Sequence, residues 1–534
     1  MSTSITAITP HPPRRAPRII ALIGLALAIG CGLSAHARDK HHDNTDEWMA
    51  ILVDGQKSGY AHHSRRIVDG DIETSQKIHW QLHRSGVPIS IEIHETSRET
   101  ATGQPVSFSS EQKMSGLGLR VSGKMLDDHT LQITKTGPGS HNQKTLTWQP
   151  DWMMPEHLRR SQIAAFKKAG MQPGSTITSR VFVPSLEKAL TSESRLGAME
   201  DVDLLGHTQR LRHITETTDM GGFLQVSQAW VDDDFNVKKM QINMMGMTLE
   251  MIACPKACAT APDQPFDAFS NTLMPVPVSL SPDELKQPLQ WTFHLRDKVS
   301  RVHLPNSLEQ QSRIETLADG QQKLTVTIYP DRPVARASAA STDQSSSHVT
   351  ENPLANHLET WTRPTPWLQS NAELIKGLTK KTIRKNQGPA EKMQAITGFV
   401  RQYISNKTLS VAYASALETA RNRNGDCTEH AVLTAAMGRA AGIPTRIATG
   451  LVYTPEFEGK KNVLVPHAWT QAWVDGAWKS YDAALGHFDS GHIALEYGDG
   501  DPVAFYSSVQ LIGNLAVDSV HAIKPANPGP NQIP

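Results

Sequence analysis

Short runs of alternating apolar and polar residues characterise the chain from residue 47 to residue 262. Over residues 247–251, for example, apolar side chains stand at every second position, which is the period of a half-buried β-strand. Gly, Asn and Asp residues separate such runs. We therefore predict a β-rich region here, interrupted by one helix over residues 155–168.

Alternation returns between residues 289 and 333. We assign residues 47–275 to a β-rich accessory domain, and residues 276–334 either to a small β module or to an extension of that domain. Residues 335–350 are rich in Ala, Ser and Thr and have no periodic apolar face, a composition that is typical of linkers.

The apolar spacing changes to that of helices after this segment. Met393, Ile396 and Val400 recur at intervals of three and four residues, which predicts an amphipathic helix. The predicted fold class is therefore α+β, with a mixed C-terminal domain over residues 351–522. A tail rich in Pro and Asn, residues 523–534, is predicted to be disordered.

Residues 1–37 have the pattern of a signal peptide. Arginines precede an apolar run over residues 19–33, and Ala35-His36-Ala37 supplies a cleavage pattern. The apolar run is shorter than the roughly 20 residues that span a membrane. We therefore expect a periplasmic or secreted protein with a flexible start over residues 38–46.

The four cysteines differ in their expected roles. Cys31 lies in the signal segment, and lipid anchoring through it is a weaker alternative because Ala28 stands where a leucine is expected. In an oxidising compartment Cys254 and Cys258 are able to close a local disulfide; a metal site would need further ligands nearby. Cys427 is the cysteine that this pairing leaves over.

The charge composition disfavours a nucleic-acid partner. Lys+Arg and Asp+Glu both number 53, so the chain has no net charge to steer a polynucleotide or an anionic membrane surface. No run elsewhere in the sequence reaches the length of a membrane span either, so the exported product is not expected to be an integral membrane protein. No cofactor is predicted.

A turn followed by a helix places one cysteine in a reactive position. Asn424-Gly425 is a strong turn signal, Asp426 is a suitable N-cap, and a helix is predicted over residues 428–441, ended by Gly442. Cys427 then lies in the first turn. There the free N–H groups and the positive end of the helix dipole stabilise a thiolate, and the same groups can donate to an oxyanion.

A predicted hairpin brings a histidine and an aspartate together. The strand over residues 463–474 carries His467, and Asp475-Gly476 is a type I′ turn signal. With a two-residue turn, the returning strand places Asp482 opposite Trp469 and diagonal to His467. Diagonal neighbours lie about 7–8 Å apart at the backbone, within reach of these side chains.

Cys427, His467 and Asp482 are together the parts of a thiol nucleophile, its base and the carboxylate that orients the base. Taken singly, each has a structural explanation, as a packed thiol, a core histidine or a strand-end aspartate. The agreement between helix cap and hairpin register favours catalysis. His430 and His467 suggest zinc as an alternative, but further ligands at suitable spacing are lacking; His430 is interpreted as a packed helix residue and no metal is predicted.

Several segments resemble the bacterial transglutaminase-like superfamily, whose core is papain-like. They are Gly425-Asp426-Cys427-Thr428-Glu429-His430-Ala431, Arg439-Ala440-Ala441-Gly442-Ile443-Pro444, Gly450-Leu451-Val452-Tyr453, His467-Ala468-Trp469 and Trp478-Lys479-Ser480-Tyr481-Asp482. The resemblance covers residues 351–520. It implies that Cys427 is the nucleophile, His467 the base and Asp482 the orienting carboxylate, and that the β-rich part is an accessory module. Ala483 is a departure, since proline often follows the aspartate.

The resemblance implies acyl transfer on carboxamides through a thioester that passes to an amine or to water. We expect a cysteine acyltransferase or amidohydrolase that acts on a peptide or protein substrate, with the cell envelope as one setting. The alternatives are a cysteine peptidase and a non-catalytic envelope-binding or scaffold module that retains the fold, since the fold does not choose among them. The substrate and the oligomeric state stay open.

Overall fold

The computed structural model describes residues 44–84, 87–114, 117–137, 140–220, 224–244, 246–267, 272–296, 302, 304–332, 358–406, 414–500 and 511–523. The predicted signal peptide with Cys31, the predicted linker and the predicted tail beyond residue 523 lie outside the described residues.

The N-terminal part of the described chain forms a 15-stranded sheet. Its strands are β1 (Thr45–Val53), β2 (Gln56–Val68), β3 (Asp71–Arg84), β4 (Val87–Glu99), β5 (Pro105–Met114), β6 (Leu117–Met125), β7 (Thr130–Gly137), β8 (Ser140–Thr147), β9 (Trp152–Met153), β10 (Thr176–Val183), β11 (Lys188–Asp203), β12 (Thr208–Asp219), β13 (Leu224–Val231), β14 (Val237–Met244) and β15 (Met247–Ala253). Successive strands are neighbours within β1–β8 and within β10–β15, and β1 pairs with β15 to join the two series. The first strand begins inside the segment predicted to be a flexible start, because Thr45 already pairs with Arg65.

The large sheet curls around one helix, α1 (Pro155–Lys168), which confirms the predicted helix. Phe166 of α1 belongs to the same buried core as Trp80 of β3. Phe182 of β10 packs against Phe108 of β5, so strands from opposite ends of the sheet meet. Alternating residues of the long strands therefore face an interior that the helix partly fills.

The C-terminal part combines helices with a five-stranded sheet. Two short helices, α2 (Lys256–Ala259) and α3 (Pro282–Leu285), precede α4 (Glu373–Thr382), α5 (Pro389–Tyr403), α6 (Ala416–Asn422) and α7 (Cys427–Ala440). The sheet contains β16 (Met274–Pro275), β20 (Thr445–Phe457), β21 (Lys460–Val474), β22 (Ala477–Tyr481) and β23 (His492–Gly498). Its order is β16-β21-β20-β23, and β22 pairs with β21 on the side that β16 also occupies.

A four-stranded sheet joins residues from both sides of the C-terminal domain. Its strands are β17 (Leu289–Leu295), β18 (Gln310–Thr316), β19 (Gln322–Ile328) and β24 (Leu515–Ala522), in the order β18-β19-β17-β24. Trp291 and Phe293 of β17 share a core with Leu451 of β20 and Ile493 of β23. The strands of residues 276–334 thus pair with the C-terminal end of the chain and not with the large sheet.

Helix α7 is buried on all sides. All residues from Thr428 to Arg439 are buried, because α4, α5, α6, β20 and β21 surround the helix. Gly438 permits this packing, since a Cβ at that position would lie 2.6 Å from Cγ2 of Thr445. Among the described residues, neither α7 nor another helix has the length and apolar composition needed to cross a membrane.

Candidate active site

Cys427 is the first residue of α7 and is half-buried. The predicted N-cap is confirmed: Asp426 Oδ1 accepts a hydrogen bond from the Thr428 N–H at 3.1 Å, and Glu429 Oε2 accepts one from the Asp426 N–H at 3.0 Å. This reciprocal pair is a capping box, which satisfies amides that would otherwise be unbonded at the helix start. The cysteine is thereby fixed at the positive end of the helix dipole.

Glu429 ties the cysteine loop together from inside. Its side chain is fully buried, and Oε1 also accepts from the Ala414 N–H at 2.7 Å. Burial and the neighbouring Asp426 carboxylate raise the pKa of Glu429 well above its usual range. A Cβ at position 425 would lie 2.2 Å from the Glu429 Cβ, so Gly425 is the residue type that fits. Glu429 thus supports the first turn of α7.

His430 is a packed helix residue, as predicted. Its ring is buried, and Nδ1 donates to the Asp426 carbonyl oxygen at 2.5 Å. It therefore reinforces the same turn of the helix that the capping box closes.

The hairpin forms with the predicted register. Asp475 and Gly476 have φ values of 53° and 82°, as a type I′ turn requires, and the pairing runs without a shift from Val474 with Ala477 to Thr470 with Tyr481. Asp482 follows the last pair directly. The structure brings together the predicted histidine and aspartate: His467 Nε2 lies 2.7 Å from Asp482 Oδ2, and both side chains are buried.

The Asp482 carboxylate is held from all sides. Oδ1 accepts from the N–H groups of Ala484 at 2.7 Å and Leu485 at 2.9 Å, while Oδ2 lies near the ring nitrogens of His467 and His492. Burial alone would raise the pKa of Asp482, but the charge and hydrogen bonds of the two histidines hold it well below its usual range. Asp482 is therefore an ionised group with little freedom to rotate.

His492 belongs to this cluster and was not predicted. Nε2 lies 3.1 Å from Asp482 Oδ2, and Nδ1 lies 2.9 Å from Asp489 Oδ1. Burial would lower the pKa of His492, but the bonds to both carboxylates raise it to about 9. The available signal was the three-residue spacing of Asp489 and His492, which is too common to identify a site. Only the pairing of His492 with Val452 of β20 places the ring here.

Gly450 lets the two histidines approach each other across β20. It pairs with His467 on one side and with Ala494 on the other. A Cβ at position 450 would lie 2.0 Å from the Ile493 carbonyl oxygen. Because that neighbour is backbone, a larger residue would force β23 outward and move His492 away from Asp482.

One edge of β21 stays open around His467. On the side where β22 pairs with residues 470–474, β16 pairs with residues 463–464, and in the part of the chain that the structure describes no strand covers residues 465–469. Helix α7 lies against the same strand, where Thr470 Oγ1 donates to the Ala431 carbonyl oxygen at 2.9 Å. The start of α7 and the His467–Asp482 pair thus belong to adjacent packed elements.

His467, Asp482 and His492 are also close enough to coordinate one cation, since their ligand atoms lie within 4.8 Å of one another. However, a single oxygen, Asp482 Oδ2, is already at hydrogen-bonding distance from both Nε2 atoms. A cation would have to displace both bonds. The arrangement fits a hydrogen-bonded cluster better than a metal centre.

Comparison with known families identifies the domain that carries this cluster. Residues 376–483 match the family model described as the transglutaminase-like superfamily. The chain contains a transglutaminase-like domain. The matched segment includes Cys427, His467 and Asp482, and it ends before Asp489 and His492. Comparison with curated proteins finds no match.

Three solved structures are similar to parts of the chain. A "Putative Cysteine Protease" from Cytophaga hutchinsonii is 17% identical, with 45% of this chain and 85% of that chain covered and a TM-score of 0.25. A beta-barrel-like protein of a domain of unknown function from Brucella abortus is 10% identical, with 39% and 94% covered and a TM-score of 0.32. A "Putative Protease" from Parabacteroides distasonis ATCC 8503 is 14% identical, with 71% and 68% covered and a TM-score of 0.18.

Proposed function

We propose that this protein is an exported thiol enzyme that attacks a peptide-like carboxamide through Cys427, His467 and Asp482. The observation that carries the proposal is the buried His467–Asp482 pair, 2.7 Å apart, with His467 on the strand against which the cysteine-bearing helix packs. Burying an ionised carboxylate beside a histidine carries a desolvation penalty that opposes folding. A carboxylate that orients a catalytic base accounts for the presence of such a pair.

The proposed first step is attack by the Cys427 thiolate on the amide carbonyl carbon. The first turn of α7 stabilises the thiolate through its N–H groups and dipole, and it offers donors to the oxyanion that forms. Asp482 engages Nε2 of His467, so Nδ1 is the nitrogen that exchanges a proton with the thiol. His467 then protonates the leaving amine, and an acyl-thioester on Cys427 remains, in a papain-like arrangement.

An amine or a water molecule then attacks the thioester carbonyl carbon, so the acyl group passes to that acceptor and the C–S bond to Cys427 breaks. In both routes His467 takes a proton from the attacking group and returns it to the departing thiol, and Asp482 stabilises the imidazolium while it exists. Transfer gives a new amide, and hydrolysis gives a carboxylate. We propose this general acyl-transfer chemistry on a peptide or protein substrate and leave the choice of acceptor to experiment.

Export is proposed on two observations. The signal-like pattern of residues 1–37 is one, and the disulfide between Cys254 and Cys258, which closes the end of β15, is the other. Disulfides persist in oxidising compartments such as the periplasm. A peptide or protein of the cell envelope is therefore the proposed class of substrate.

The proposal is tested by two assays run in parallel on the full chain and on Cys427→Ala. Incorporation of an amine fluorophore into an envelope protein extract reports transfer, and release of labelled peptide fragments reports hydrolysis. We expect at least one activity in the wild-type protein and none in Cys427→Ala, with His467→Ala equally inactive. An activity that survives in Cys427→Ala contradicts the proposal.

A further inference from the structure

His492 links two carboxylates that lie on opposite sides of its ring. The distances are 3.1 Å from Nε2 to Asp482 and 2.9 Å from Nδ1 to Asp489. A carboxylate oxygen accepts hydrogen bonds, so the ring is a cation when both nitrogens donate to the carboxylates. The Asp489 N–H also lies 3.3 Å from Nδ1, but this contact is longer than the 2.9 Å contact between Nδ1 and the Asp489 carboxylate. The His492 side chain has no exposed surface, so water does not compete for these bonds.

The groups form one chain, in the order Asp489, His492, Asp482 and His467, in which Asp489 is half-buried and the other three are buried. Asp482 Oδ2 is shared between the two histidines, and Asp489 is also contacted by the exposed His487 at 3.2 Å. Because the same oxygen receives both rings, the position of His492 determines where that oxygen lies relative to His467. Asp489, in turn, fixes the other side of the His492 ring.

We propose that His492 is a positioning residue of the active site, which holds Asp482 toward His467 and places a buried positive charge beside the catalytic pair. This inference rests on the proposed function. The charge favours the thiolate form of Cys427 and disfavours protonation of His467, and it thereby sets the pH range in which the thiol is reactive.

The charged and titratable groups around His492 come from several elements. Asp482, Asp489 and His487 lie on the segment after β22, and His467 lies on β21 with its ring centroid 5.8 Å away. Glu309, which precedes β18, is also buried. Burial raises the pKa of Glu309, and the positive charge of His492 acts in the opposite direction. Without the charge of His492, these groups carry an excess of negative charge, and this excess disfavours the thiolate form of Cys427.

The test is the pH dependence of iodoacetamide alkylation of Cys427 in the full chain, measured by mass spectrometry on the peptide that contains Cys427. His492→Gln keeps an amide donor toward Asp482 but loses the charge. We expect its alkylation midpoint to move to higher pH by about one unit. His487→Gln is the matched control, because it removes the other histidine on Asp489 without touching Asp482, and its midpoint should equal that of the wild-type protein.

The outcomes separate this inference from the proposed function. A depressed wild-type midpoint that is unchanged in His492→Gln overturns the inference and leaves the proposed function standing. A wild-type midpoint near that of an ordinary thiol, about pH 8.5, overturns both. A shift of equal size in His487→Gln also overturns the inference, since a surface charge would then produce the effect.

A measurement on the wild-type protein covers the case in which His492→Gln does not fold. With histidines labelled by ¹⁵N, we expect one buried imidazole at pH 8 to show two slowly exchanging N–H signals, with contacts to the ring protons of Phe488 and Trp469, whose ring centroids lie 5.0 and 5.3 Å from that of His492. A neutral His492 ring at pH 8, with one N–H signal, overturns the inference.

Discussion

Single residues in this site are constrained by contacts with backbone, and Gly450 is the clearest case. It separates the strands that carry His467 and His492, and its missing side chain is what allows the Ile493 carbonyl to approach. The arrangement of His467, Asp482 and His492 therefore depends on a residue outside their hydrogen-bonded cluster.

We predict that Gly450→Ala lowers the free energy of unfolding by roughly 1–3 kcal/mol, because the added Cβ overlaps a backbone oxygen. It should also reduce any Cys427-dependent activity, since β23 carries His492 outward. Gly398→Ala in α5 is the control: nothing lies within 4 Å of its Cβ position, so stability should stay equal or rise by up to about 1 kcal/mol. Chemical denaturation measures both changes, and equal effects of the two substitutions would refute the packing argument.

At the level of elements, the hairpin that carries His467 is anchored by the residue that leads into the four-stranded sheet. The Ser480 N–H lies 3.1 and 3.0 Å from the two carboxyl oxygens of Glu309, and Ser480 precedes Asp482 by two positions on the end of β22. The Ser480 hydroxyl in turn accepts from Trp469 Nε1 at 3.1 Å. The end of β22 is therefore fixed by the residue that precedes β18.

We predict that Glu309→Ala destabilises the fold by about 1–3 kcal/mol, because the half-buried Ser480 amide loses its acceptor. Glu309→Gln retains an acceptor and should cost less. If the anchor also orients Asp482, Glu309→Ala lowers kcat more than it changes KM in the activity assay. Thermal unfolding and steady-state kinetics of the two variants check this, and an equal loss of stability in both variants would contradict the anchoring role.

The local features of the site were predictable from sequence, whereas its long-range features were not. The cap at Asp426 and the register of the hairpin after Asp475-Gly476 depend on residues within a few positions of each other, so turn and capping rules suffice. The placement of His492 depends on pairing between β20 and β23 across a bulge at Gly450. The burial of α7 on all sides depends on packing by elements distant in the sequence. Neither the placement of His492 nor the complete burial of α7 produces a periodic pattern in the sequence.

At the scale of the whole molecule, the large sheet encloses buried carboxyl groups of its own. Glu216 of β12 faces the interior, where its Oε1 accepts from the Ser194 hydroxyl at 3.3 Å and from Gln162 Nε2 of α1 at 3.5 Å. Burial raises the pKa of Glu216 to about 7 from 4.5. The folded state thus keeps a proton that the unfolded chain releases above pH 4.5, and stability falls as the pH rises from there to about 7.

We predict that Glu216→Gln reduces this loss of stability between pH 5 and pH 7, since glutamine keeps the acceptor but has no proton to release. The gain over wild type at pH 7 should be of order 1–3 kcal/mol. Glu193→Gln on the exposed face of the neighbouring strand β11 is the control, and its pH dependence should match that of the wild-type protein. Thermal unfolding at both pH values measures the difference, and parallel curves for Glu216→Gln and wild type would show that burial of Glu216 has no such effect.

In the proposed mechanism, Cys427 at the start of α7 is an activated thiol paired with His467. The pH dependence of its alkylation by iodoacetamide, compared between the wild-type protein and His467→Ala, tests the claim most directly. We predict a wild-type midpoint below pH 7.5, within the range of thiols activated by a helix start and an imidazolium, and a shift toward about 8.5 in His467→Ala. A wild-type midpoint at about 8.5 that His467→Ala leaves unchanged would contradict the account.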